Sequence, residues 1–390
     1  MPYPPLDGGA QLIHNTTLGL LEFDVIVKVL AMNQSHRPVE TETIPETYRQ
    51  STSFEFVDID TRLKYWAALI NLFTSESYFV FRFRSNKFSN RLKVLLSENN
   101  FDVIQLEHVY LCQYISLIRK YSSAKIILRS QNIEYIIWNR FKKGIRNPFT
   151  KWIFNIAIRR LNDYEKNVIS HLDGLLPVTK NDADILLEYS PDTPCRVVPM
   201  GFAFNTASNI CTDHKPLNIV YHLASMDWRP NEEAIRWFLT KVVPELKVTK
   251  GYTIIIAGSK MPKWVYAFQN DFIKIVGAVN DPLAFQIDKK VMIVPLLSGS
   301  GIRAKIIEGL ALGKAIITTT VGAQGIDCEH EKNILIADKP EQFAQMIERC
   351  ISDNEFTEML GRNAMDLAIR LYHYKKSAKE MLLFYIELLS

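Results

Sequence analysis

The chain has 390 residues, 47% hydrophobic and 23% charged, with 46 Lys and Arg against 42 Asp and Glu. This is an ordinary globular composition on a length beyond the usual ceiling for one core, so two domains are expected. A net charge of +4 gives no ground by itself for nucleic-acid binding, and no apolar stretch reaches the length of a membrane span.

The chain begins with Pro2, Pro4 and Pro5, which do not form a signal peptide. Gly8 and Gly9 read as a phosphate- or sugar-facing loop, which in a Rossmann-like domain follows the first, central strand. Only Met1 to Leu6 precedes them, too short and proline-rich to be that strand, so Met1 reads as an internal methionine of a longer chain. The alternative is a surface turn of a trimmed domain. Apolar β-branched runs then predict strands at Val25–Leu30, Phe54–Val57, Val103–Leu106, Ile126–Leu128, Leu175–Val178 and Arg196–Pro199. Glu107 and His108 follow the third of these directly, and Asn132 and Glu134 lie at the exit of the fourth. Their position at strand ends puts them at the edge where open α/β folds bind ligands.

From Tyr135 to Asn162 there is no acidic residue, while Arg140, Lys142, Lys143, Arg146, Lys151, Arg159 and Arg160 are interleaved with Trp138, Phe141, Phe149, Trp152 and Phe154. Residues 138–160 therefore suit an anionic membrane surface, with a solvated basic face over buried aromatics as the equal alternative. No recognised nucleic-acid module accompanies the charge. Phe202 to Lys215 lacks periodicity and reads as an interdomain linker, which sets domains at 1–201 and 216–371 and places the expected active site in the cleft between them.

The second half repeats the pattern, with strands at Ile219–His222, Thr253–Ala257, Ile273–Val276, Val291–Val294, Ile316–Thr318 and Ile334–Ile336. Alternation with amphipathic segments predicts parallel sheets covered by helices. Gly258 with Ser259 and Lys260, and Gly277 with Val279 and Asp281, form turns that could border a nucleotide. Ser298, Gly299, Ser300 and Gly301 make a glycine loop, and Ile302 to Leu312 has helical periodicity, with Arg303, Lys305 and Glu308 in its first two turns. Unpaired N–H groups at a helix start, beside two cations, suit an anion such as a phosphate. A second polar loop, from Thr319 to Gly325, ends at the same sheet edge. Helices follow at Glu341–Ile351, Phe356–Leu371 and Lys375–Leu389. The five cysteines are odd in number and widely spaced, and read as small buried hydrophobes of a reducing compartment.

The run from Pro295 through the Gly-Ser-Gly loop, Lys305, Glu308, Gly309, Leu310, Ala311, Gly313, Lys314 and Thr319 resembles the donor-binding signature of family-4 retaining glycosyltransferases, in its Gly-Ser-Gly-x-Arg-x-Lys variant. Ser225, Met226, Asp227, Trp228, Pro230 and Asn231 resemble the family's loop after the first strand of the second domain; Pro2 to Gly9, Asn132 with Glu134, and Tyr164 with Glu165 are shorter matches in the first. Three departures stand out: the first glutamate of the family's pair is Ser300, the histidine of its His-Asn-x-Glu element is Gln131, and the arginine and lysine that other members carry in the loop after the first strand of the second domain are not at their usual places, with Arg303 and Lys305 as the replacements.

The resemblance implies the GT-B fold, two Rossmann-like domains with parallel sheets facing a central cleft, here without the first strand, and residues 372–390 crossing back to the first domain. It implies hexose transfer from a nucleotide sugar to a glycan or lipid-linked acceptor, with retention, in cell-surface polysaccharide or glycoconjugate synthesis. Glu308 would hold the ribose, and Arg303 and Lys305 the diphosphate; His108 completes the catalytic set. Gly8, Gly9, Ser225, Gly258, Gly277, Ser298, Gly299, Ser300, Gly301, Ile302 and Thr319 would surround the donor, with Glu107, Asn132 and Glu134 on the acceptor side. No cofactor, metal or nucleic acid is expected. The location expected is the cytoplasm, with the inner face of the cell membrane as the surface touched. The alternatives are a sugar-nucleotide epimerase of the same fold and a catalytically silent sugar-nucleotide-binding partner protein.

Overall fold

The structure, a computed structural model, describes residues 1–5, 8–35, 38–62, 64–71, 73–142, 144–145, 147–203, 217–247, 251–299 and 302–390, with Tyr65 and Ala68 as backbone only. Ser300, Gly301, Lys143, Arg146, Cys211 and most of the expected linker lie outside the described residues. The chain divides into two compact units, Met1–Gly201 with Tyr374–Ser390, and Phe202–His373.

Unit 1 runs α1 (Gly8–Leu21), β1 (Leu30–Gln34), α2 (Glu46–Ser51), β2 (Glu55–Ile59), α3 (Tyr65–Asn71), α4 (Tyr78–Phe81), α5 (Asn86–Glu98), β3 (Val103–Leu106), α6 (Ile115–Tyr121), β4 (Lys125–Leu128), α7 (Glu134–Lys142), α8 (Pro148–Ile169), β5 (Gly174–Leu175) and α9 (Lys180–Tyr189). Its strands form two parallel sheets, β1-β2 and β3-β4-β5. Ile126, Ile127 and Leu128 of β4 are all buried, as expected of a parallel strand covered on both faces. The long α8 starts cleanly because Asn147 accepts the Thr150 N–H and Pro148 occupies the first turn, where its missing donor costs nothing.

Unit 2 runs β6 (Leu217–Leu223), α10 (Arg229–Trp237), β7 (Thr253–Ala257), β8 (Ile273–Gly277), α11 (Pro282–Ile287), β9 (Lys289–Val294), α12 (Ala304–Ala311), β10 (Ala315–Thr318), α13 (Thr320–Ala323), β11 (Leu335–Ile336), α14 (Pro340–Ser352) and α15 (Asn354–Tyr372). Its six-stranded sheet is parallel throughout, in the order β11-β10-β9-β6-β7-β8. The direction of winding reverses between β6 and β9, and at such a reversal the loops leaving the strands part to open a ligand crevice.

After α15 the chain returns to unit 1 as α16 (Tyr374–Leu389), whose Ala378, Met381, Phe384 and Tyr385 join Leu20, Ile127, Leu176 and Val198 in one apolar cluster. Close approach of α1 and α16 depends on Gly19: a Cβ there would stand 2.6 Å from Ala378 Cβ. Among the described residues, no helix is long and apolar enough to cross a membrane.

Four local expectations need correction. Gly8 and Gly9 are not a loop but the first turn of α1, because Leu12 and Leu20 are buried and the helix packs on α16, which outweighs the poor helix propensity of two glycines. The strand expected at Val25–Leu30 begins at Leu30, since its partner starts only at Glu55 after a turn with Ser53 at φ 40°; Val25 and Val27 pack on the α16 cluster instead. The strand expected at Leu175–Val178 is confined to Gly174–Leu175. Arg196–Pro199 is not a strand either, although Arg196 and Val198 donate to Leu175 and Pro177, because Pro177 and Pro199 have no N–H with which to continue a ladder.

Candidate active site

The crevice side of unit 2 is built from the loops that leave β6, β7, β9 and β10. After β6, the Ala224 and Met226 N–H groups donate to Ala257 and Ser259, which ties the β6 exit to the β7 exit. Gly258 permits this approach: its φ is +148° and a Cβ would fall 1.6 Å from the Ala224 carbonyl oxygen. The Ser225 hydroxyl bonds Asp227 at 2.7 Å and pairs with the Ser259 hydroxyl at 2.7 Å. Gly258 N–H donates to the Gly277 carbonyl at 2.6 Å, so the two expected nucleotide-bordering turns are joined.

The glycine loop after β9 leads into α12, whose N-cap is Arg303, one position before the first helical residue; the Arg303 side chain makes no capping hydrogen bond there. The helix therefore begins later than the periodicity at Ile302 implied. Gly299 has a φ of +124°, and a Cβ there would stand 3.0 Å from the Trp228 ring and 3.2 Å from Arg303 Nη2. Only glycine fits both demands. Ser298 donates to Glu233 of α10 at 2.5 Å. The Thr319 hydroxyl donates to Leu296 O and accepts Gly322 N–H at 3.0 Å, lacing the β9 and β10 exits together.

Lys305 is the chemically distinctive group. Its ammonium donates to Asn231 Oδ1 at 2.9 Å, and Asn231 is itself fixed by donating to Ser225 O at 2.7 Å. Burial, then the neighbouring Arg303 guanidinium, pulls the Lys305 pKa down from 10.5 to about 7, with Glu308 opposing. Beneath it His222 is fully buried, donates Nδ1–H to Ile293 O at 2.9 Å, and leaves Nε2 with no hydrogen-bond partner among the described residues. Burial and Lys305 hold the His222 pKa down to about 3, so the imidazole is neutral and adds no competing charge. The Arg303 guanidinium and a Lys305 amine that an anion would hold protonated thus stand close together with one carboxylate in electrostatic reach, an arrangement that favours an incoming anion.

Unit 1 brings His108 and Glu134 together, with His108 Nε2 3.0 Å from Glu134 Oε1. His108 Nδ1 accepts the Tyr110 N–H at 3.4 Å, and its ring stacks on Tyr110 at 4.3 Å. Tyr110 donates to the other Glu134 oxygen at 2.7 Å and accepts from Trp138 at 2.8 Å. Desolvation pushes the Glu134 pKa up, but His108, the Tyr110 hydroxyl and Arg82 outweigh it and leave the carboxyl below its ordinary value. Glu165 accepts the Glu134 and Tyr135 N–H groups at the start of α7, and burial raises its pKa to about 7. Glu107 is bonded by Gln105 and Gln131, and burial raises its pKa against the pull of Arg129. The Asn132 carbonyl accepts from the Ser130 hydroxyl at 3.1 Å.

Arg303, Lys305 and Glu308 are thus grouped in unit 2, and His108 with Glu134 in unit 1; Ser225, Gly258, Gly277, Ser298 and Gly299 line the exits near the first group, while Gly8 and Gly9 belong to a helix. Asn231, Glu233 and His222 were not among the expected site residues. Asn231 stood in a matched motif and could have been found there. The role of His222 had no local signal, since its partners are Ile293 and Lys305.

The parallel two-unit architecture is the GT-B fold, and residues 218–353 match the family model described as Glycosyl transferases group 1. Sucrose-phosphate synthase from Thermosynechococcus elongatus has a similar structure, with a TM-score of 0.68 at 14% identity over 97% of this chain and 93% of that one. A glycosyltransferase from Rickettsia africae gives 0.66 at 15% identity over 99% and 96%. Anabaena HepE, solved in complex with UDP and glucose, gives 0.58 at 12% identity over 92% and 98%. In sequence, the chain is 19% identical to an uncharacterized 44.6 kDa protein in the cps region of Klebsiella pneumoniae, over 96% of this chain and 95% of that protein. The domain match and the fold support a GT-B glycosyltransferase.

Proposed function

We propose that this chain is a family-4-like retaining glycosyltransferase acting in the cytoplasm. It transfers a hexose from a nucleotide sugar to a glycan or lipid-linked acceptor in cell-surface polysaccharide or glycoconjugate synthesis. The observation that carries this reading is the pair Arg303 and Lys305 at the start of α12, at the point where the sheet reverses its winding. Transfer breaks the bond between the anomeric carbon and the diphosphate oxygen while the acceptor oxygen takes over that carbon on the same face and passes its proton to the departing diphosphate. Negative charge grows on the departing diphosphate, and cations and N–H groups already in place stabilise it without reorganising. They serve in place of a metal. In this reading Glu308 binds the ribose hydroxyls and Asn231 keeps Lys305 aimed. Glu107, Asn132 and Glu134 face the acceptor, with His108 orienting a hydroxyl through the carboxylate it shares with Tyr110. The complex of HepE with UDP and glucose, and the cps-region relative, support the donor class and the setting.

A panel of UDP-, GDP- and ADP-sugars tested for stabilisation and then for transfer identifies the donor. With that donor, Lys305→Ala and Glu308→Ala each lower kcat/KM by at least about tenfold, which is about 1.4 kcal/mol of transition-state stabilisation. Wild-type kinetics in a folded Glu308→Ala variant would refute the donor-site assignment.

A further inference from the structure

Unit 1 carries an apolar surface larger than the basic segment alone predicts. On α3 and the turn after it, Trp66, Ile70 and Phe73 recur at helical spacing, and Trp66 is 80% and Phe73 94% exposed. Phe141 at the end of α7 and Phe149 and Trp152 at the start of α8 are exposed as well. The two groups are held to one another: Arg160 of α8 donates to Asn71 O at 2.8 Å, and Ser77 donates to the Ala157 carbonyl at 3.1 Å. Phe149, Trp152 and Arg160 fall on one side of α8 by helical spacing, the side that meets the end of α3.

The charge around these side chains is mostly positive. Neither Thr61–Ser75 nor Tyr135–Asn162 contains an acidic residue; Asp60 and Glu76, which flank the first stretch, are paired with Arg62, Lys64 and Arg84, and Lys151 and Arg159 are exposed on α8. A second copy docked through this face would set like charges against each other. Exposed tryptophan and phenylalanine among lysine and arginine instead fit the boundary of an anionic bilayer, where the rings enter the headgroup layer and the cations meet lipid phosphates. We propose that α3, the turn carrying Phe73, the end of α7 and the start of α8 form one membrane-docking surface specific for anionic lipid. The inference is independent of the donor-site reading, because its test needs no sugar nucleotide.

The test is sedimentation of the full chain with phosphatidylcholine vesicles, with and without phosphatidylglycerol. Wild type is expected to pellet with the phosphatidylglycerol vesicles and to release as salt is added. Trp66→Ser with Phe73→Ser weakens binding about tenfold, as does Lys151→Glu with Arg159→Glu, since each pair removes interfacial contacts. These side chains are exposed, so the variants keep the wild-type far-UV spectrum and melting temperature. Equal binding to both vesicle types, or variants that bind as the wild type does, overturns the proposal. So does a dimer in analytical ultracentrifugation that Trp66→Ser with Phe73→Ser abolishes.

Discussion

At the scale of single residues, Lys305 makes the donor site sensitive to pH. The unfolded chain keeps this proton up to the ordinary lysine value of 10.5, the folded chain only up to about 7, so stability gains from this group as pH rises between the two. A bound diphosphate reverses the balance by favouring the ammonium. We therefore expect UDP binding at pH 8 to take up as much as about one proton, measured by calorimetry in buffers of different ionisation enthalpy, and Lys305→Met to abolish the uptake. Uptake unchanged in that variant would place the titrating group elsewhere. The cations themselves are legible in sequence because they adjoin the glycine loop. What fixes Lys305 is not, since Asn231 is 74 positions away and becomes its partner only once β6 and β9 pair.

At the scale of elements, legibility followed burial. Thr253–Ala257 falls on the bounds its apolar run predicted, and Ile126–Leu128 misses the observed strand by one residue; both strands sit inside parallel sheets, where one apolar run answers to two covered faces. Local signals failed where packing at a distance decided the outcome. Two glycines announced a loop at Gly8, yet contact with a helix more than 350 positions away made them helical. The start of α7 shows the same dependence in a testable form, because Glu165 from α8 accepts both of its leading N–H groups. Glu165→Ala leaves those donors without a carboxylate and should cost about 1–3 kcal/mol in urea denaturation at pH 8. A change below about 0.5 kcal/mol would mean that solvent or another side chain caps α7 equally well.

At the scale of the whole molecule, each unit has its own core, one around Ile254, Ile293 and Phe343 and another around Phe79, Ile126 and Leu161. Separate cores predict separable unfolding. Removing residues 374–390 takes Phe384 and Tyr385 from unit 1 only, so the calorimetric transition of unit 1 should be lost or fall sharply while unit 2 melts as before. A single transition that moves as a whole would show instead that the units unfold together. Unit 1 is also interrupted in sequence, with unit 2 lying between its main body and α16. On a ribosome, all of unit 2 must be synthesised before α16 emerges, a delay on the order of ten to thirty seconds. Throughout that interval the α1 face around Gly19 and the apolar side chains Leu20, Leu176 and Val198 lack the helix that covers them, so the first unit to leave the ribosome is the last to be finished, and a chaperone holding that face would act on every nascent chain.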